Sequence, residues 1–224
     1  GVPKTIDNDV ALTERAVGFD TAVNTITDAI NRLTFTAASH DRIMVIEVMG
    51  REAGHLALHS GIAGGADVIL IPEIPYSISE ICRHLAELRD HWKRRFAIVV
   101  VAEGIQPAQD APLGDAKPTC GKGQYVADAI ASCSSYPIDI RVSVLGHIQR
   151  GGIPSALDRL IAAAFGKAAV DAVAQDQSNQ MMAWQNGQVV AVPIDEVCRL
   201  SPRSVDPNGT LVQTARALGI YIGD

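Results

Sequence analysis

Aromatic residues make up only 4% of this 224-residue chain, too few for the stacking platforms that hold single-stranded nucleic acids. Positive charge is also short. Lys and Arg number 19 against 25 Asp and Glu, a formal net charge of -6, whereas nucleic-acid binders carry a basic footprint. No nucleic-acid partner is expected. Cys82, Cys120, Cys133 and Cys198 form no CxxC pair and no close cluster, which argues against a zinc site or a disulfide framework and for reduced thiols in the cytoplasm. No apolar run approaches the roughly 18 residues of a spanning helix, and no signal-peptide pattern opens the chain, so no membrane partner is expected. There is no GxxxxGK[ST] loop and no glycine fingerprint between a strand and a helix, so nothing here cradles a triphosphate unaided. An initiator Met is missing too, and polar groups crowd the first nine residues. A site at a terminus needs structure in front of it, so the chain is expected to be a piece of a longer protein.

What is present is ordinary globular material, 47% hydrophobic and 20% charged, with no internal repeat. Apolar residues at Ala22, Val23, Ile26, Ala29, Ile30 and Leu33 recur at helical spacing and predict a helix over 21–33, capped by Asp20 or Thr21. A polar loop over 34–41 follows. The β-branched runs at 42–49, 67–72, 96–102 and 138–145 read as strands buried on both faces. Helices are predicted over 52–63, from a Ser77 or Ser79 cap to 93, over 124–133, over 155–174 and over 210–218. Residues 106–123, rich in Pro, Gly, Asp and Lys, read as a long surface loop. Asn186-Gly187 between β-prone runs predicts a hairpin. Strand and helix alternate at least four times, which predicts an α/β fold with a mostly parallel sheet. Ligands in such sheets sit at the carboxyl ends of strands, where Met49-Gly50-Arg51, Glu103-Gly104 and Gly146-His147 fall.

Two clusters carry chemistry. Lys4-Thr5-Ile6-Asp7-Asn8-Asp9 supplies two carboxylates. If the segment is extended, Thr5, Asp7 and Asp9 point one way, so one carboxylate can take a proton from an attacking hydroxyl and the other can ligate Mg²⁺. The same residues equally fit a solvated Asx turn. His147-Ile-Gln-Arg150-Gly-Gly places two basic groups beside glycines, a pattern suited to a phosphate or to a plain strand exit. Arg51, next to Gly50, can stabilise charge on a transferring phosphoryl group or pair with a carboxylate. Glu103 can accept from sugar hydroxyls or cap a helix. Arg42 and Arg141 begin strands, at the edge opposite the proposed site, and so face solvent or a neighbouring subunit. Lys4 either adds charge beside the phosphoryl group or is a surface lysine.

Pro-Lys-Thr-Ile-Asp-Asn-Asp at 3–9, Gly-Phe-Asp-Thr-Ala at 18–22, Met-Gly-Arg at 49–51, Glu-Gly at 103–104, Leu-Gly-His-Ile-Gln-Arg-Gly-Gly at 145–152 and Asp158-Arg159 occur in this order in the chain. In that order and combination they resemble the 6-phosphofructokinases, from residue 1 to about 165. The resemblance implies a parallel-sheet sandwich of two lobes with the first part of the nucleotide lobe missing. Residues 1–18 and 149–205 would be the remainder of that lobe, 19–148 the fructose 6-phosphate lobe, and 206–224 a C-terminal helix and tail. It implies phosphoryl transfer from ATP, with Mg²⁺, to the 1-hydroxyl of fructose 6-phosphate. Asp7 would be the proton acceptor, Thr5 would contact substrate and transferring group, and Asp9 would lie at the metal. Met49, Gly50, Arg51 and Glu103 would hold the sugar, and His147 and Arg150 its 6-phosphate. Arg42 and Arg141 would reach into a neighbouring subunit's site, in a homodimer or homotetramer. The family's Gly-Gly-Asp-Gly phosphate loop is absent. Lys4 stands where many ATP-dependent bacterial members have Gly and resembles the pyrophosphate-using and mixed branches, so pyrophosphate is the alternative donor. A non-catalytic sugar-phosphate-binding module is the alternative outside the enzyme class.

Overall fold

A computed structural model describes residues 1–111, 121–134 and 137–223. Residues 112–120 of the loop read over 106–123, Cys120 among them, lie outside the described residues. The elements are α1 (Phe19–Ser39), β1 (Arg42–Val48), α2 (His55–Gly64), β2 (Val68–Leu70), α3 (Ile78–Asp90), β3 (Ala97–Ala102), α4 (Lys122–Cys133), β4 (Asp139–Val144), a 3-10 turn (Gly146–Arg150), α5 (Ala156–Ala174), β5 (Gln180–Gln185), β6 (Gln188–Pro193), α6 (Ile194–Leu200) and α7 (Thr210–Ala217). Strands β1 to β4 form one parallel sheet in the order β2-β3-β1-β4. The four apolar runs are these strands. β3 is buried along its whole length and β1 at every position but Arg42, because α1 and α2 cover one face of the sheet while α4, with α3 packed beside it, covers the other.

A second, smaller layer lies beside the amino end of α1, where α5 begins. The β5–β6 hairpin turns at Asn186 and Gly187, both at positive φ (50° and 78°), as an Asn-Gly turn requires. It packs on α5 through Ile161, Phe165, Ala172 and Met182, and on α6 through Met181, Ala183 and Val197. Val10, Leu12 and Val17 from the start of the chain join these two clusters. The C-terminal segment does not stay with this layer. Val205, Val212, Ala215 and Ile220 enter the core of the main sheet, and Tyr221 pairs alongside Val68 at the outer edge of β2.

Several boundaries differ from the sequence expectation. Helix α1 begins two residues early, at Phe19, and Asp20 and Thr21 lie inside it rather than capping it. It also runs through 34–39, predicted as a polar loop. Ala37 there is fully buried, and the Thr34 hydroxyl donates to the Ile30 carbonyl (2.8 Å), so these polar residues are satisfied within a helix. Helix α2 starts three residues late. The Gly54 N–H is taken by the Glu73 carboxylate (2.9 and 3.1 Å), and a Cβ at Gly54 would collide with the Ile71 side chain, so the chain turns there before helix begins. Ser77 caps α3 as expected, its Oγ accepting from the Glu80 N–H. The helix then ends at Asp90, short of the predicted 93. Helix α6 and the 3-10 turn have no counterpart in the sequence expectation.

Candidate active site

The carboxyl edge of the sheet gathers the three expected loops. Glu103 N–H donates to the Val48 carbonyl (2.9 Å), Gly104 N–H to the Gly50 carbonyl (3.1 Å), and Leu145 N–H to the Glu47 carbonyl (3.1 Å). Gly104 has no substitute here, because a Cβ on it would collide with the Arg51 carbonyl oxygen. Gly50 sits at φ 123°. Met49-Gly50-Arg51 and Glu103-Gly104 are thus one backbone-locked unit, with Met49 buried, Arg51 exposed and Glu103 half-buried. The 3-10 turn is tied to it by Gln149. This side chain is 1% exposed, accepts from the Met49 N–H (3.1 Å) and donates to the Gly146 carbonyl (2.9 Å). The sequence reading gives Gln149 no role, and no local signal marks it apart from its place between His147 and Arg150.

The acidic opening meets that turn. A cavity of about 440 Å³ is lined by Lys4, Thr5 and Asp7 on one side and by Gln149, Arg150 and Gly152 on another, with Thr21 and Asp158 among the rest. The two clusters, 140 residues apart in the chain, therefore share one pocket. Asp7 is half-buried. Burial, and then the nearby Asp9 charge, push its carboxyl above the ordinary carboxylate range, while Arg150 and the Thr5 hydroxyl pull the other way. Its N–H also donates to the Thr5 Oγ (3.2 Å).

The segment is not simply extended. Asn8 adopts φ 54° and is 3% exposed. Its Oδ1 accepts from the Ala16 N–H (2.8 Å) and its Nδ2 donates to the Glu14 carbonyl (3.1 Å). This is a pinned turn rather than a solvated one. It also separates the two carboxylates, so that Asp9 does not line the cavity with Thr5 and Asp7. Asp9 lies instead within electrostatic reach of Asp7, His55 and Arg203.

The far wall is built by Asp158, also without a role from sequence. Its carboxylate is 4% exposed and accepts from Gly18 N–H (3.0 Å), Thr21 N–H (2.8 Å) and the Thr21 hydroxyl. It supplies the cap that α1 lacks at Gly18. The Thr21 oxygen in turn accepts from Ser155 N–H (3.0 Å), clipping the starts of α1 and α5 together.

His147 is exposed on the 3-10 turn and does not line the cavity. Arg42 opens β1 at the amino edge of the sheet as expected, but Arg141 is the third residue of β4, opposite Met44, and does not begin its strand; both pair with Asp139 (2.5 and 3.0 Å). No group of three or more His, Cys, Asp or Glu that could hold a metal occurs among the described residues. Mg²⁺ at such a site takes one or two carboxylates and completes its shell with phosphate oxygens, so the lone carboxylate of Asp9 suits an ion shared with a substrate and not a protein cage. No helix among the described residues is long and apolar enough to cross a membrane.

Fold and site together define a parallel α/β protein with an acid on one wall of its edge cavity and a guanidinium on the other. Comparison with known proteins makes the assignment finer. The family profile "Phosphofructokinase" matches residues 1–173. The chain is 68% identical over its full length to "ATP-dependent 6-phosphofructokinase 2" of Nostoc sp. and 67% identical to "ATP-dependent 6-phosphofructokinase" of Trichormus variabilis. It spans 64% of the length of each of these two relatives. The structure of phosphofructokinase from Saccharomyces cerevisiae superposes with a TM-score of 0.76 at 33% identity, over 97% of this chain and 27% of that one. The chain belongs to the phosphofructokinase family.

Proposed function

We propose that the intact protein transfers the γ-phosphoryl group of ATP to the 1-hydroxyl of fructose 6-phosphate. The observation that carries this reading is the shared cavity. A carboxyl of raised basicity faces a guanidinium across a space of sugar-phosphate size. Asp7 takes the proton from the 1-hydroxyl as the new O–P bond forms and the bond from phosphorus to the ADP leaving oxygen breaks. Thr5 contacts the substrate and the transferring group, and Arg51 meets its developing charge. Asp9 would hold Mg²⁺, which would supply positive charge against the phosphate oxygens. Met49, Gly50, Arg51 and Glu103 hold the sugar, and Arg150 with His147 grips the 6-phosphate.

Arg42 and Arg141, remote from the cavity of their own protomer, serve a neighbouring subunit in a homodimer or homotetramer. Residues 1–18 and 149–205 belong to the donor lobe and 19–148 to the sugar-phosphate lobe. The separate apolar cores support the division except at Ile6 and Val205, which pack with the main-sheet core. The enzyme works in the cytoplasm.

ATP is favoured as donor because relatives at 64–68% identity carry the name ATP-dependent. Lys4 in the cavity keeps pyrophosphate as the second reading. A coupled assay of the intact protein with fructose 6-phosphate and either donor decides between them. Fructose 6-phosphate binding with no turnover on either donor would instead indicate a binding module. Asp7→Ser should lower kcat at least about 100-fold, on the order expected for a lost general base, with little change in substrate affinity.

A further inference from the structure

Residues 201–205 pass between the two halves of the site as a strap, and Arg203 is its centre. The Arg203 N–H donates to the Asp9 carbonyl (2.6 Å). Its guanidinium donates to the carbonyls of Thr13 (2.8 Å), Asn8 (2.9 Å) and, more loosely, Glu14 (3.4 Å). Its own carbonyl is bonded to His55 Nε2 (3.0 Å), at the start of α2. On either side of it, Ala11 N–H donates to the Ser201 hydroxyl (3.0 Å) and Val205 N–H to Glu73 (2.8 Å), the same carboxylate that holds Gly54. One residue therefore hydrogen-bonds both the loop carrying Asp7 and the turn that follows Arg51, although about 190 residues separate Arg203 from Asp7 and Asp9 in the chain.

We propose that Arg203 is a positioning residue for phosphoryl transfer, holding the Asp7–Asp9 loop in register with the Gly50–His55 turn. The inference rests on the function proposed above. The requirement for arginine is geometric. Asn8 turns the chain at φ 54°, a conformation asparagine takes more readily than most residues. The carbonyls freed by that turn point at a single centre, and a planar fork can serve several of them at once where an ammonium serves one. Asp9 and Glu14 are the acidic groups facing the guanidinium, and His55 and His59 are the titratable groups beyond it. Arg203 does not line the cavity shared by Asp7 and Arg150; it borders a second cavity with Asn8, Glu14 and His55.

The test is steady-state kinetics of the intact protein with Arg203→Ala and Arg203→Lys, each checked for folding by circular dichroism at the assay temperature. The expected result for Ala is a fall in kcat of about 100-fold, the size that goes with a misplacement of the base on the ångström scale. KM for fructose 6-phosphate should stay within about threefold, because that phosphate is gripped elsewhere. Millimolar guanidinium ion, filling the vacated fork, should restore part of kcat, which a general loss of packing would not allow. Arg203→Lys keeps the charge and one contact and guards against a misfolded Ala variant. Its kcat should drop about tenfold at unchanged KM. A folded Lys variant that turns over like the parent, or one that raises KM with kcat intact, overturns the proposal while the parental activity stands. A parent inactive with both donors overturns the proposed function and this inference together.

Discussion

Replacing Asp158 by alanine tests whether the wall of the cavity is held as the geometry implies. The carboxylate is buried and takes two backbone N–H groups of α1, Gly18 at 3.0 Å and Thr21 at 2.8 Å, together with the Thr21 hydroxyl. A hydrogen bond to a charged acceptor contributes about 1.5–3 kcal/mol net. Gly18 and Thr21 are themselves half-buried beside a cavity, where water can take over part of the work, so the lower end applies. Two backbone bonds then give a loss of about 3 kcal/mol. The milder substitution Asp158→Asn is expected to cost about half as much, since one oxygen still accepts but the amide brings a donor against a donor. In a domain of this size about 3 kcal/mol lowers the melting temperature by roughly 6–12 °C. Differential scanning fluorimetry of the intact protein reads that shift, and hydrogen exchange reads its location as faster exchange at Gly18–Ala22. A melting point within about 1 °C of the parent, or exchange raised everywhere but there, would refute the reasoning.

Two further expectations follow from the site and its surroundings. Arg150→Ala should raise KM for fructose 6-phosphate about 10- to 150-fold, the equivalent of one charge-assisted contact, with a smaller effect on kcat. Unchanged affinity in a direct binding assay would remove Arg150 from the phosphate grip. Burial holds His55 and His59 below the ordinary histidine value of 6.5; the Arg203 carbonyl pulls His55 partly back, its guanidinium opposes that, and for His59 the charges of His55, Arg15 and Arg203 add to burial. The unfolded chain then binds protons first, so stability is full above about pH 6.5 and falls as pH drops from there to the folded values, by up to about 1.4 kcal/mol per pH unit for each residue. His59→Gln should flatten that slope in urea melts between about pH 5 and 7. An identical slope would mean that His59 does not titrate with folding.

The sheet was legible because β1 and β3 are covered on both faces, so that nearly every residue must be apolar and the runs stand out. The hairpin was legible for a local reason, the positive φ that Asn-Gly accepts. What escaped shares one property. The cap of α1 comes from Asp158, 137–140 residues away, so Asp20 and Thr21 looked like better candidates than Gly18. Gln149 and Arg203 act through polar contacts distant in sequence that no periodicity announces. In the acidic opening the chemistry of each residue was readable, but the fan of Thr5, Asp7 and Asp9 assumed an extended backbone. Asn8 breaks that assumption through partners at 14 and 16. Sequence spacing brought the two loops together, and of their side chains Thr5, Asp7 and Arg150 line the cavity while Asp9 and His147 do not.

The capping of α1 also decides how an anion can be held in this cavity. Three positive resources border it, the amino end of α1, the guanidinium of Arg150 and the ammonium of Lys4. A free helix amino end is a ready anion site. Here Asp158 already occupies it with a carboxylate, using the Gly18 and Thr21 N–H groups that would otherwise reach a phosphate. The protein has answered the partial positive charge of α1 with its own side chain. A phosphate entering the pocket would find that end neutralised and would meet a second negative charge in Asp158. Among the side chains lining the cavity its attraction then comes from Arg150 and Lys4, with His147 outside the lining on the same turn as Arg150. The amino end of α1 gives Arg150 no reserve, which is why its removal should appear as a large loss of affinity and not as a small one shared among many donors.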